Sequence, residues 1–169
     1  MKKIIIIIVL LIFILICGEK INHRLSITND FKKIIMDFEI VNEFLIDYYD
    51  KNCEEKCYDN QDMVFDIVDN QDKIELVLNF SKNKFEIDDK ISKSIINIEK
   101  YYVTKVSGFS PDRMNYIRVN EKTIEYYSEK HPPMVIYYRN GKPTLKEIRE
   151  NNLEHILDNW YKTKYEHHM

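Results

Sequence analysis

Apolar and polar positions follow three different rhythms along this chain. Ile4 to Ile16 is an unbroken apolar run, preceded by Lys2 and Lys3 and closed by Cys17 and Gly18. Further on, Phe31, Ile34, Ile35, Phe38, Val41, Leu45 and Tyr48 recur at helical spacing. A long amphipathic helix is therefore expected over Asp30 to Asp50, with Thr28, Asn29 or Asp30 as its cap. From Asp62 the period becomes two. Met63, Phe65 and Ile67, then Ile74, Leu76, Leu78 and Phe80, mark two strands of a hairpin around the turn Asp69-Asn-Gln-Asp72. Lys84 to Ile87 can add a short strand.

A second helix is expected to start at Asp88 or Asp89, with Ile91, Ile95, Ile98 and Tyr102 on its apolar face. Ser107 to Asp112 carries Gly, Pro and small polar residues and reads as a loop. Three meander strands follow at Met114–Val119, Thr123–Ser128 and Met134–Arg139, and Asn140-Gly141 signals a turn. Thr144-Leu-Lys-Glu147 fits a capping box, in which the Thr oxygen accepts from the Glu amide and the Glu reaches back. It opens a last expected helix whose face is Leu145, Ile148, Leu153, Ile156, Leu157 and Trp160. The order α-ββ-α-βββ-α implies an α+β fold. Its antiparallel sheet of about five strands would be packed by an N-terminal, a middle and a C-terminal helix.

The apolar run near the N-terminus has the layout of a bacterial export signal: a positive start, a short apolar stretch, then smaller residues. As a helix, Ile4 to Cys17 would reach about 21 Å at 1.5 Å per residue, against a hydrocarbon core of about 30 Å. Ile14-Leu15-Ile16-Cys17-Gly18 resembles a bacterial lipobox, with Ile16 where that motif has a small residue. The resemblance implies lipidation of Cys17. Three fates fit this segment: a lipid anchor at Cys17, an uncleaved membrane anchor, or cleavage and release. Residues 1–18 are read as signal peptide or membrane anchor, 19–28 as a spacer, and 29–169 as one exported domain. The expected location is extracytoplasmic and membrane-associated, with secretion as the alternative.

Composition changes this picture in two places. The chain has no alanine and three glycines, while Ile, Lys, Asn and Tyr abound, a bias we read as that of AT-rich codons. Its many Tyr and Ile residues therefore carry little functional weight by number alone. The formal charge is −3, which becomes −5 without Lys2 and Lys3. That acidity gives no electrostatic reason to bind nucleic acid.

Three cysteines are present, Cys17, Cys53 and Cys57. With Cys17 lipidated or removed, Cys53 and Cys57 remain as a candidate disulfide of an oxidising compartment, the alternative being free thiols. Two Cys without a neighbouring His make half of a zinc site, so no metal and no cofactor are expected.

Candidate chemistry is sparse. His131 lies in a strand connection and could work as an acid/base with a carboxylate such as Asp112 or Glu129. No nucleophile motif accompanies it, and no catalytic residue is assigned. Tyrosine doublets fall on two strands, at Tyr126-Tyr127 and Tyr137-Tyr138. Neighbours on a strand face opposite ways, so each doublet sends one ring outward, and these four are the binding-surface candidates. Asp66, Asp69, Asp72, Glu86, Asp88 and Asp89 lack calcium-loop spacing and read as a solvated rim. The sequence thus points to a small cell-envelope protein that acts as a non-enzymatic binding module. It would contact the membrane through its N-terminus and a protein or glycan partner through its domain. The alternatives are an exported hydrolytic enzyme using His131, or a membrane-held inhibitor or immunity-type protein.

Overall fold

The computed structural model describes residues 28–53, 62–69, 74–79, 83–85, 87–101, 114–128 and 135–164. Residues 28–53 are helical and form α1. Thr28, Asn29 and Asp30 already belong to the helix, so the cap expected there lies within it. Phe38, Val41, Leu45 and Tyr49 are buried at the 3.6-residue period, and Tyr48 is half-buried beside them.

The alternating segments become strands β1 (Met63–Asp69) and β2 (Ile74–Leu78), paired antiparallel with Phe65 opposite Leu78 and Ile67 opposite Leu76. Strand β3 (Asn83–Phe85) then pairs with β2. Helix α2 (Asp89–Tyr101) starts where the Asp88 carboxylate accepts from the Ile91 amide at 2.8 Å. It buries Ile91, Ile95 and Ile98, while Tyr102 lies outside the described residues. Strands β4 (Met114–Val119), β5 (Thr123–Ser128) and β6 (Val135–Tyr138) form the meander. Between β4 and β5 the Asn120 side-chain oxygen accepts from the amides of Lys122 and Thr123, both at 2.8 Å, and fixes the turn.

The C-terminal segment departs from expectation. Helix α3 (Leu145–Glu150) has the capping box of Thr144 and Glu147 but ends after six residues. It is followed by β7 (Leu153–Leu157) and β8 (Trp160–Thr163), a hairpin in place of a continued helix. The breaks fall at Asn152 (φ 49°) and Asp158 (φ 46°), residue types that tolerate the left-handed region. Leu145, expected on a buried helical face, is 74% exposed. The sheet therefore has eight strands and not about five, all antiparallel, in the order β3-β2-β1-β4-β5-β6-β8-β7.

Register assigns each side chain to a face. One face carries Phe65, Leu76, Leu78, Ile117, Ile124, Tyr126 and Trp160, all buried. Residues of α1 pack on it: Phe38 meets Tyr126 and Trp160, each at 4.9 Å between centroids, and Tyr48 meets Phe85 at 4.6 Å. The opposite face is covered at one end, where Ile148 of α3 packs on Ile136, Leu153 and Tyr161 with Tyr138 beside them. Towards β1 and β2 that face is lined by half-buried Val64, Asp66, Val68, Glu75 and Val77.

Candidate functional site

Pairing of β5 with β6 brings both tyrosine doublets into one sheet and distributes them over its two faces. Tyr126 is fully buried, and its hydroxyl donates to the Asn42 side-chain oxygen of α1 at 2.6 Å. Burial raises its pKa well above the usual value for tyrosine. Tyr137 shares that face, 4.8 Å from Trp160, and is half-buried.

Tyr127 and Tyr138 lie on the other face. Tyr127 stacks on Tyr116 at 4.5 Å and 12°, the Arg118 guanidinium sits 5.1 Å from its centroid, and its hydroxyl donates to Glu125 at 2.6 Å. Burial, then the hydrogen bond and charge of Glu125, push its pKa up, while Arg118 opposes them. Tyr138 packs edge-on to Tyr161 at 5.4 Å, and burial with the charges of Glu147 and Glu125 pushes its pKa up to about 12. The register places Thr123 opposite Tyr138 and Glu125 opposite Ile136, so Tyr127 and Tyr138 stand at different heights on this face.

Cys53, the last described residue of α1, is disulfide-bonded. Cys17, Cys57 and His131 lie outside the described residues. Among the described residues, no group of three or more His, Cys, Asp or Glu side chains is arranged to hold a metal ion.

A concave surface runs along α1. It is a cavity of about 810 Å³ lined by the outward side of the helix, by Asp88, Lys90 and Ile91 at the start of α2, and by Tyr137. The chemistry of α1 explains its character. A helix has one core-facing stripe, and apolar residues off that stripe stay at least partly open to solvent. Met36, Ile40 and Phe44 recur every four residues away from the buried positions. Met36 is 71% exposed, and Ile40 and Phe44 are half-buried.

Beside that stripe runs a second one of Glu39, Glu43 and Asp47, with Asp50 a turn further. Among the described residues, five carboxylates thus line the cavity against the single cation Lys90. Asp47 is paired with Lys51 and Asp50 with Arg139, both at 2.7 Å. Among the described residues, Glu39 and Glu43 carry no ion pair and stand exposed. Helical periodicity in the sequence picks out the core stripe of α1 and not this second face. The signal for it in the sequence is the surplus of apolar residues, because Met36, Ile40 and Phe44 have the same four-residue spacing as a core stripe. Comparison with known proteins yields no match to a family model, to a curated protein or to a solved structure.

Proposed function

We propose that the chain is an exported, membrane-associated protein of the cell envelope that works as a non-enzymatic binding module and docks a partner on the outward face of α1. The observation that carries this reading is the apolar row Met36, Ile40 and Phe44 beside exposed Glu39 and Glu43, which carry no ion pair among the described residues. Partner-binding surfaces combine an apolar, Met- and aromatic-rich centre with a polar rim, and contiguous apolar surface outside a core marks such sites. Export is supported by the Lys2-Lys3 start and the run Ile4–Ile16. The disulfide at Cys53 fits an oxidising compartment. Excess acid in the cavity favours the inhibitor or immunity-type form of this reading, in which an acidic surface covers a basic target.

The test pairs folding with co-purification. Ile40→Glu and Phe44→Glu should unfold in denaturant close to the wild-type midpoint, since both side chains are half-buried at the surface. Wild-type protein should co-purify with an envelope partner from crosslinked cells, and the same variants should lose it. Retention of the partner by both variants would refute the docking face, as would no partner with wild type.

A further inference from the structure

Resting on the docking role just proposed, we infer that the occupant of the α1 surface is a basic amphipathic helix of another protein, with large apolar side chains every fourth residue and Lys or Arg beside them. Three physical features of the surface select this chemistry.

The first is shape. Met36, Ile40 and Phe44 form an i, i+4, i+8 ridge on α1, of which Ile40 and Phe44 line the cavity together with Ile91 of α2. Ridges of this spacing interlock with those of another helix. An extended segment would need free backbone donors and acceptors, which the side of an α-helix does not offer, because its own ladder uses them.

The second is charge. Glu39 and Glu43 stand exposed beside the apolar ridge and carry no ion pair among the described residues. A cation brought against them gains attraction that strengthens as the interface sheds water.

The third is what the same charges reject. Two copies of this chain docked through this patch of α1 by a two-fold axis would bring the Glu39 and Glu43 carboxylates of one copy close to those of the other. An anionic lipid surface would repel the same carboxylates. Neither a second copy nor the membrane is the natural occupant.

Fluorescence anisotropy with the full chain in mild detergent tests this. The probe is a synthetic helical peptide with Leu at every fourth position and Lys flanking the Leu row. Two control peptides replace Lys by Glu, or Leu by Ser. The Lys/Leu peptide should bind and weaken about tenfold or more between about 50 and 300 mM salt, and neither control should bind. The double variant Glu39→Lys/Glu43→Lys should weaken binding about tenfold while keeping the wild-type denaturation midpoint.

Equal binding of the Ser-for-Leu peptide would reduce the effect to bulk charge and overturn the inference. So would binding of the Glu-for-Lys peptide, undiminished binding by the double variant, or no binding at all. Self-association abolished by Phe44→Glu in sedimentation would assign the surface to a second copy, and binding to phosphatidylglycerol vesicles lost in Phe44→Glu would assign it to lipid. Either result also overturns the inference. If the peptides fail while the cellular partner is still lost from Ile40→Glu and Phe44→Glu, this partner chemistry falls and the docking face stands. If both fail, both readings fall.

Discussion

The Tyr126 hydroxyl and the Asn42 side chain meet at 2.6 Å between two buried residues: Tyr126 is 0% and Asn42 is 4% exposed. Removing one partner of a buried pair leaves the other unsatisfied, so Tyr126→Phe should cost about 1–3 kcal/mol in denaturant unfolding. The double change Tyr126→Phe/Asn42→Leu should recover part of that loss; a single variant as stable as wild type would show the contact to be inert. Tyr138 behaves differently because its burial is partial and acidic groups face it. Its folded pKa is pushed up to about 12, above the unfolded value of about 10. The stabilisation held by its neutral form is complete below pH ~10 and is lost as pH climbs towards that raised value. Alkaline unfolding should therefore begin in this window, and Tyr138→Phe should move its midpoint upward. An unmoved midpoint would mean that another group governs alkaline loss. These two tyrosines show the limit of reading a doublet. The alternation of faces is legible in the sequence, but the depth of each ring depends on α1 for Tyr126 and on α3 and β8 for Tyr138.

Helix α3 shows how a short element is held by its cap. Glu147 accepts from the Thr144 amide at 2.7 Å and from its hydroxyl at 2.8 Å, and those bonds hold its carboxyl below the usual carboxylate pKa. Thr144→Ala should cost about 1 kcal/mol at neutral pH. A depressed folded pKa stabilises above the unfolded value of about 4.3 and ceases to as pH falls through the folded value. The gap between wild type and Thr144→Ala should therefore shrink below pH ~4, and a gap constant to pH 3 would exclude the carboxylate's part. Trp160 sits in β8 against Phe38, Tyr126 and Tyr137. Trp160→Ala should cost about 3–5 kcal/mol as a core truncation, and an unchanged denaturation midpoint would contradict that packing. The capping box, β4 and β5 were legible because their signals are local: a four-residue hydrogen-bond loop and a period of two. The hairpin of β7 and β8 was not. Leu153, Ile156, Leu157 and Trp160 have offsets of three, four and seven, which match a helix face. What overrides that match is long-range pairing of β8 with β6, together with the left-handed turns at Asn152 and Asp158. The α1 half of the candidate site was present as surplus apolar residues, whereas the contributions of Asp88, Ile91 and Tyr137 exist only once the chain has folded.

On the scale of the whole molecule, the proposed address and the proposed docking face are tested separately. Residues 1–28 fused to a reporter active only outside the cytoplasm should give activity, and a silent reporter would remove the envelope setting. Fatty-acid labelling lost in Cys17→Ser would identify the lipid site suggested by the lipobox-like stretch, while label that survives the substitution would exclude it. Within the envelope, the proposed division of labour is that the sheet supplies a rigid support and the outward side of α1 supplies contact. The alternative surface is the sheet face opposite α1, where Val64, Val77 and Tyr116 are half-buried. The most direct measurement is a photo-crosslinking scan in living cells, with the probe placed in turn at Met36, Ile40 and Phe44 on α1 and at Val64, Val77 and Tyr116 on the sheet. The α1 positions should yield one discrete protein adduct and the sheet positions none. Adducts from the sheet positions with none from α1 would contradict the assignment and move the docking surface to the opposite side of the domain.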